Sequence, residues 1–314
     1  MRVLVTGGAG FIGSHVVDRL LTHGVSPVIY DQQRSMVHLQ QEHFLGSILD
    51  VEALRVAMNG AHAVIHLAAV ADVKDVFDDP SYAEMVNTRG TLCVLEAARR
   101  CRVKRVIYGS TTWVYSDCLE AEVDEETPIS APRHLYTATK IASEFYCRAY
   151  AQLYGLETTI LRFGIPYGPR ARDAAVVPSF VAKAFRGEPL TLSGDGAQFR
   201  QFIYVEDLAE GIVLALKPIA ANRTYNLDGP ERIRIRQIAE TIQDLMGEVE
   251  IASTPARPGD FSGKGVSSER AEKELGWKPA TPFRTGMERY IAWFRSRHEQ
   301  QMQTWNKVDA TLRT

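Results

Sequence analysis

Short apolar runs at residues 2–5, 27–30, 63–67, 103–108 and 157–162 alternate with stretches at 13–23, 50–58, 81–101 and 138–154 whose apolar residues recur every three or four positions. The first pattern predicts buried strands and the second amphipathic helices. Strand–helix alternation implies a parallel sheet covered on both faces, right-handed crossovers, and ligands bound outside the carboxyl ends of the strands. The rhythm breaks after Arg162, where Gly164, Pro166, Gly168, Pro169 and Pro178 fall in an irregular stretch; turn residues gather again at 187–196 and 255–265. The pattern predicts a first domain over 1–165, with 203–228 returning to it through the run Phe202–Val205. A smaller interleaved lobe is expected from 166–202 and 229–298, followed by a polar tail, 299–314, without an apolar stripe.

Between the first run and the first helical stretch lies TGGAGFIG, residues 6–13. Gly7 permits a tight turn, Gly10 lets backbone approach a pyrophosphate, and Gly13 lets helix pack near strand, while the positive end of the helix faces the anion. Asp31 closes the next apolar run at about the 20-residue spacing at which a carboxylate meets the adenosine ribose hydroxyls. The fold class is therefore α/β, a doubly wound parallel sheet of the Rossmann type, and the expected ligand is a dinucleotide. A carboxylate at that position repels a 2′-phosphate, which favours NAD over NADP; Arg34 nearby softens the repulsion.

The chain has 314 residues, 45% of them hydrophobic, enough to bury a large core. A net charge of −2 with no basic run leaves no footprint for nucleic acid or an anionic membrane. No apolar run approaches the roughly 20 residues that span a bilayer, so the expectation is a soluble cytoplasmic protein acting on small molecules. Cys93, Cys101, Cys118 and Cys147 form no CxxC pair and no metal spacing with histidine; neither a disulfide nor a metal is expected.

Tyr136-Thr-Ala-Thr-Lys140 opens the helical stretch carrying Ile141, Phe145 and Ala149. Residues four apart share a helix face. A phenol is a poor base at neutral pH, but an adjacent ammonium and the positive ring of an oxidised nicotinamide stabilise the phenolate. Tyr136 could then accept a proton from a sugar hydroxyl as hydride leaves the same carbon.

The chain resembles the extended short-chain dehydrogenase/reductases, specifically the NAD-dependent nucleotide-sugar epimerase/dehydratase group of which UDP-glucose 4-epimerase is an example. TGGAGFIG, Asp31, HLAA (66–69), NTRGT (87–91), YGSTTWVY (108–115), YTATK (136–140), RFGIPYGPR (162–170), GDGAQFRQFIYVEDL (194–208), RPGD (257–260) and LGW (275–277) carry the resemblance over about residues 1–295. It implies that Thr111 hydrogen-bonds the reacting hydroxyl beside Tyr136 and Lys140, and that Thr112 also meets the substrate. It implies NAD contacts from Gly7, Gly10, Phe11, Ile12, Gly13, Asp31, Ser47, Ile48, Leu67, Ala68, Ala69, Tyr136 and Lys140, with Ser47 standing where an aspartate is usual. Arg200, Arg257 and Asp260 match positions that grip a nucleotide diphosphate and a nearby hydroxyl. A homodimer through helices 81–101 and 138–154 is the group's expectation.

Departures from the group's pattern narrow the reaction. The 4,6-dehydratases of the group carry Asp-Glu where this chain has Thr112-Trp113, and a decarboxylase glutamate near the same place is also missing. Elimination of water needs an acid and a base that threonine and tryptophan cannot replace. The expected reaction is 4-epimerisation through a 4-keto intermediate; the alternatives are a nucleotide-ketosugar reductase and a non-catalytic NAD-sensing protein. Ile165, Ala175 and Ser193 replace residues that the group uses on the diphosphate, base or sugar, so the nucleotide is unassigned.

Overall fold

The computed structural model describes residues 1–255 and 263–312. Seven parallel strands form the main sheet: β1 (Arg2–Thr6), β2 (Ser26–Asp31), β3 (Glu42–Leu45), β4 (Ala63–His66), β5 (Arg105–Thr111), β6 (Glu157–Phe163) and β7 (Thr224–Leu227), in the spatial order β7-β6-β5-β4-β1-β2-β3. The chain steps outward from β1 to β3, then crosses back to β4 and runs outward the other way. The order therefore reverses between β1 and β4, where the carboxyl ends of the strands open a crevice for a ligand.

Both sheet faces are covered, which is why the strands read as near-continuous apolar runs. Helices α1 (Phe11–Thr22) and α5 (Val205–Leu214) bury Val16, Val17, Leu20, Leu208 and Ile212 on one side. Helices α2 (Val51–Ala57), α3 (Gly90–Arg100) and α4 (Leu135–Tyr154) bury Leu54, Val94, Leu95, Ala98 and Cys147 on the other. This is a doubly wound Rossmann-type sheet.

Among the described residues the chain divides into a larger unit, residues 1–166, 201–230 and 263–280, and a smaller one, 167–200, 231–255 and 281–312. Residues 263–280, expected in the smaller lobe, belong to the larger unit because Ala271, Leu275 and Trp277 enter its core and the Trp277 indole donates to Asp207 O at 2.8 Å. In the smaller unit, helices Val176–Phe185, Ile235–Met246 and Phe283–Leu312 accompany a parallel pair, Leu190–Ser193 with Ile251–Thr254. The expected tail is not a separate segment: the last helix runs through to Leu312.

Three other elements differ from the sequence pattern. Strand β3 was not anticipated; it is a short edge strand without apolar alternation, held at its start by the Arg2–Glu42 ion pair. The strand that returns to the main sheet is Thr224–Leu227, not the run at 202–205, since Phe199–Tyr204 belongs to a separate three-stranded sheet. The expected helix 81–101 is broken into an α-turn, Pro80–Glu84, a π-turn, Met85–Arg89, and α3. Asn87 in the wide turn is bonded through its side chain to both backbone groups of Val70. Gly90 leaves room for Ile48, whose Cδ1 would lie 2.5 Å from a β-carbon there. Among the described residues no helix is long and apolar enough to cross a membrane, no group of side chains has the makings of a metal site, and the four cysteines are free.

Candidate active site

The turn after β1 brings the expected glycines together. Gly7 has φ +72°, and a β-carbon on it would sit 2.7 Å from Ala68 N; one on Gly13 would sit 2.1 Å from Gly7 O. No side chain fits at either position. Gly10 caps α1 with no side-chain hydrogen bond, and the first turn, Phe11–Ile12–Gly13, carries no acid. The leading amides are thus presented to an anion, as a pyrophosphate requires.

Asp31, at the end of β2, accepts from Ala9 N–H at 3.0 Å and Gln33 N–H at 3.1 Å, one on each carboxylate oxygen. Each oxygen keeps acceptor capacity for an outside hydroxyl. Ser47 turns its hydroxyl onto Leu49 N–H (3.2 Å), and Ile48 is buried against Gly90. Leu67, Ala68 and Ala69 follow β4 as a half-buried segment, with Leu67 N–H bonded to Thr6 O at 3.1 Å. The residues present fit a dinucleotide lying across the β1/β4 crevice.

Thr111 ends β5, buried, with Oγ1 accepting from Trp113 N–H at 3.2 Å. Among the described residues its only side-chain hydrogen bond is to backbone, and its O–H remains a donor. Thr112 and Trp113 lie in the short 3₁₀ turn that follows. Tyr136 and Lys140 sit in the first two turns of α4, which begins earlier than the apolar pattern suggests because the His134 ring caps it, Nδ1 accepting from Tyr136 N–H at 3.2 Å. Lys140 Nζ lies 6.0 Å from the centre of the Tyr136 ring, 5.0 Å from that of Tyr108, and donates to Gly109 O at 2.9 Å. Burial, opposed by Cys147 and Glu144, pulls the Lys140 ammonium down to about 8.

These residues rest on buried polar side chains. His66 is clasped between Thr6 Oγ1 (2.7 Å) and Thr91 Oγ1 (3.1 Å), and burial together with Lys140 pushes it down to about 3, so it stays neutral. Asn87 joins Val70 to Thr139 of α4. Glu144 accepts from Ser110 Oγ (2.6 Å) and forms two bonds with Arg162, which continues to Tyr115 and Asn226. The i, i+4 spacing from Lys140 was the available signal for Glu144, whereas its partner on β6 could not be read from local spacing.

Arg200 lies in the smaller unit, its Nη1 donating to Phe199 O at 2.7 Å. Arg257 and Asp260 lie outside the described residues.

Residues 3–228 match the NAD dependent epimerase/dehydratase family. The chain belongs to the NAD-dependent epimerase/dehydratase family. Its cofactor is accordingly NAD. It is 32% identical to UDP-glucuronic acid decarboxylase 1 of Xenopus tropicalis, covering 96% of this chain and 73% of that protein. It is 30% identical to the UDP-glucose 4-epimerase of Thermotoga maritima solved with UDP-glucose, with a TM-score of 0.89 over 94% of this chain and 99% of that one. It is also 30% identical to the dTDP-glucose 4,6-dehydratase of Streptomyces venezuelae solved with NAD, with a TM-score of 0.88 over 94% of this chain and 97% of that one. Three reactions are thus represented among proteins this similar, and the family alone does not choose between them.

Proposed function

We propose that this enzyme is a nucleotide-sugar 4-epimerase. The observation that carries the reading is Tyr136 and Lys140 on one face of α4 with Thr112-Trp113 where elimination would need an acid and a base. Tyr136 as phenolate takes the proton of the C4 hydroxyl, Thr111 O–H donates to the same oxygen, and Lys140 as ammonium stabilises the phenolate. With its ammonium near 8, Lys140 is mostly charged at pH 7. When bound, NAD would supply a reversible acceptor for the C4 hydride. The 4-keto sugar turns between the two transfers, so the hydride returns to the opposite face and Tyr136 returns the proton.

The NAD contacts assigned by this reading are the glycine turn at 7–13, Asp31, Ser47, Ile48 and the segment Leu67–Ala69. Arg200 and Arg257 take the diphosphate, whose oxygens guanidinium forks suit, and Asp260 a nearby hydroxyl. Tyr82, Met85 and Phe145 expose 43%, 40% and 60% of their surface on the helical stretches 80–100 and 135–154, which supports a homodimer formed through those helices.

The test is the nicotinamide absorbance of the NAD-loaded enzyme during turnover of a nucleotide sugar. Epimerisation leaves it unchanged at steady state. A change stoichiometric with product would favour a ketosugar reductase or dehydrogenase instead.

A further inference from the structure

The rings of Trp113 and His134 meet edge-on, with centres 5.9 Å apart and planes at 84°. Each residue is tied by one hydrogen bond to Thr111 or Tyr136 of the proposed site. Trp113 N–H donates to Thr111 Oγ1, and His134 Nδ1 accepts from Tyr136 N–H, both at 3.2 Å. Both are half-buried.

The bond from Tyr136 fixes the imidazole tautomer. A ring nitrogen that accepts carries no hydrogen, so in the neutral ring the hydrogen is on Nε2. Among the described residues nothing accepts it. Helix N-caps are ordinarily serine, threonine, aspartate or asparagine, whose short side chains do this job alone. Histidine adds a second polar atom on the far side of the ring, next to an indole, two residues from Tyr136.

We propose that Trp113 and His134 form the specificity wall for the sugar, resting on the assignment of Thr111 and Tyr136 to the reacting hydroxyl. On that assignment, the ring carbons next to the hydroxyl held by Thr111 and Tyr136 are the ones that meet Trp113 and His134, each hydrogen-bonded to one of those two residues. The indole covers apolar C–H surface of the sugar. His134 Nε2–H donates to a neutral oxygen on an adjacent substituent, a hydroxyl or an acyl carbonyl. A carboxylate there would exchange its hydration for an indole and a neutral donor, so the wall selects neutral nucleotide hexoses over nucleotide uronates.

The experiment is calorimetric titration of the NAD-loaded protein with UDP-, dTDP-, GDP- and CDP-glucose, each against its diphosphate, continuing with the tightest pair and the matching uronate. His134→Asn keeps an acceptor for Tyr136 N–H and removes the Nε2 donor; Trp113→Ala removes the indole. The wall predicts that the ratio of sugar-nucleotide to diphosphate affinity falls about three- to tenfold in His134→Asn and tenfold or more in Trp113→Ala. NAD and diphosphate affinities stay within twofold, and the uronate binds more weakly than the hexose to the unmodified protein. Unchanged ratios in both variants, a uronate bound as tightly as the hexose, or no gain from the sugar in any pair would overturn it. Because binding is read, a protein that binds hexose through this wall and fails to invert it contradicts the epimerase reading and leaves the wall standing.

Discussion

Arg162 holds Glu144 through two hydrogen bonds, Nε to Oε1 at 3.0 Å and Nη2 to Oε2 at 2.7 Å, with both side chains almost fully buried. The carboxylate one turn beyond Lys140 is therefore paired from β6, with Arg148 Nη2 also 3.4 Å from Oε2, while Lys140 donates to Gly109 O and lies beside the Tyr136 and Tyr108 rings. Removing one partner of such a pair leaves a buried uncompensated charge. Glu144→Ala is expected to cost about 3–5 kcal/mol in urea unfolding. The double replacement Glu144→Met with Arg162→Met is expected to cost less than the single change, because it strands no charge.

Lys140 is held charged where burial opposes the charge. Its value drops from 10.5 to about 8, so the folded state is penalised in full below about pH 8, and the penalty is relieved as pH rises from 8 toward 10.5. Lys140→Met is predicted to raise Tm at pH 7, by a margin that narrows toward pH 10, while lowering kcat by about a hundred- to ten-thousand-fold. Thermal melts across pH beside turnover assays check both; a variant that lost activity and stability together at pH 7 would contradict the burial argument.

Asp228 follows β7 and carries the opposite sign of shift. Burial lifts its carboxyl well above the ordinary 3.8, against a single opposing bond from Gly229 N–H at 2.8 Å. Its contribution to stability is complete below pH 3.8 and is lost as pH climbs toward the raised value. Asp228→Asn is expected to stabilise the protein by about 1 kcal/mol or more at neutral pH and by less at pH 4. Chemical denaturation at the two pH values measures the difference.

Gly13→Ala places a β-carbon 2.1 Å from Gly7 O. Displacing the turn costs about 1–3 kcal/mol, so NAD affinity is predicted to fall roughly ten- to a hundredfold in equilibrium titration. NAD binding unaffected by this change would mean that the turn is not the pyrophosphate seat.

The sheet was legible because its strands are buried on both faces and read as unbroken apolar runs, and the glycine turn because its sterics demand those residues. Edge strand β3 and the closing strand Thr224–Leu227 were not, since short strands interrupted by polar residues give no periodic signal. Tyr136 and Lys140 were visible from i, i+4 spacing on one helix. The partnership of Glu144 with Arg162 joins α4 to β6, and the imidazole cap at His134 replaces the usual cap residues; neither leaves a local pattern. Residues 263–280 were misplaced because Trp277 reaches its core by an excursion that turn composition does not reveal.

Epimerisation at this site requires internal return of one hydride at sugar carbon 4. It is tested most directly by proton NMR of the NAD-loaded enzyme with UDP-, dTDP-, GDP- and CDP-sugars in heavy water. Inversion at carbon 4 is expected with no deuterium gained at any carbon. Deuterium incorporated beside a carbonyl, or product formed only when reduced nicotinamide is supplied, would contradict it.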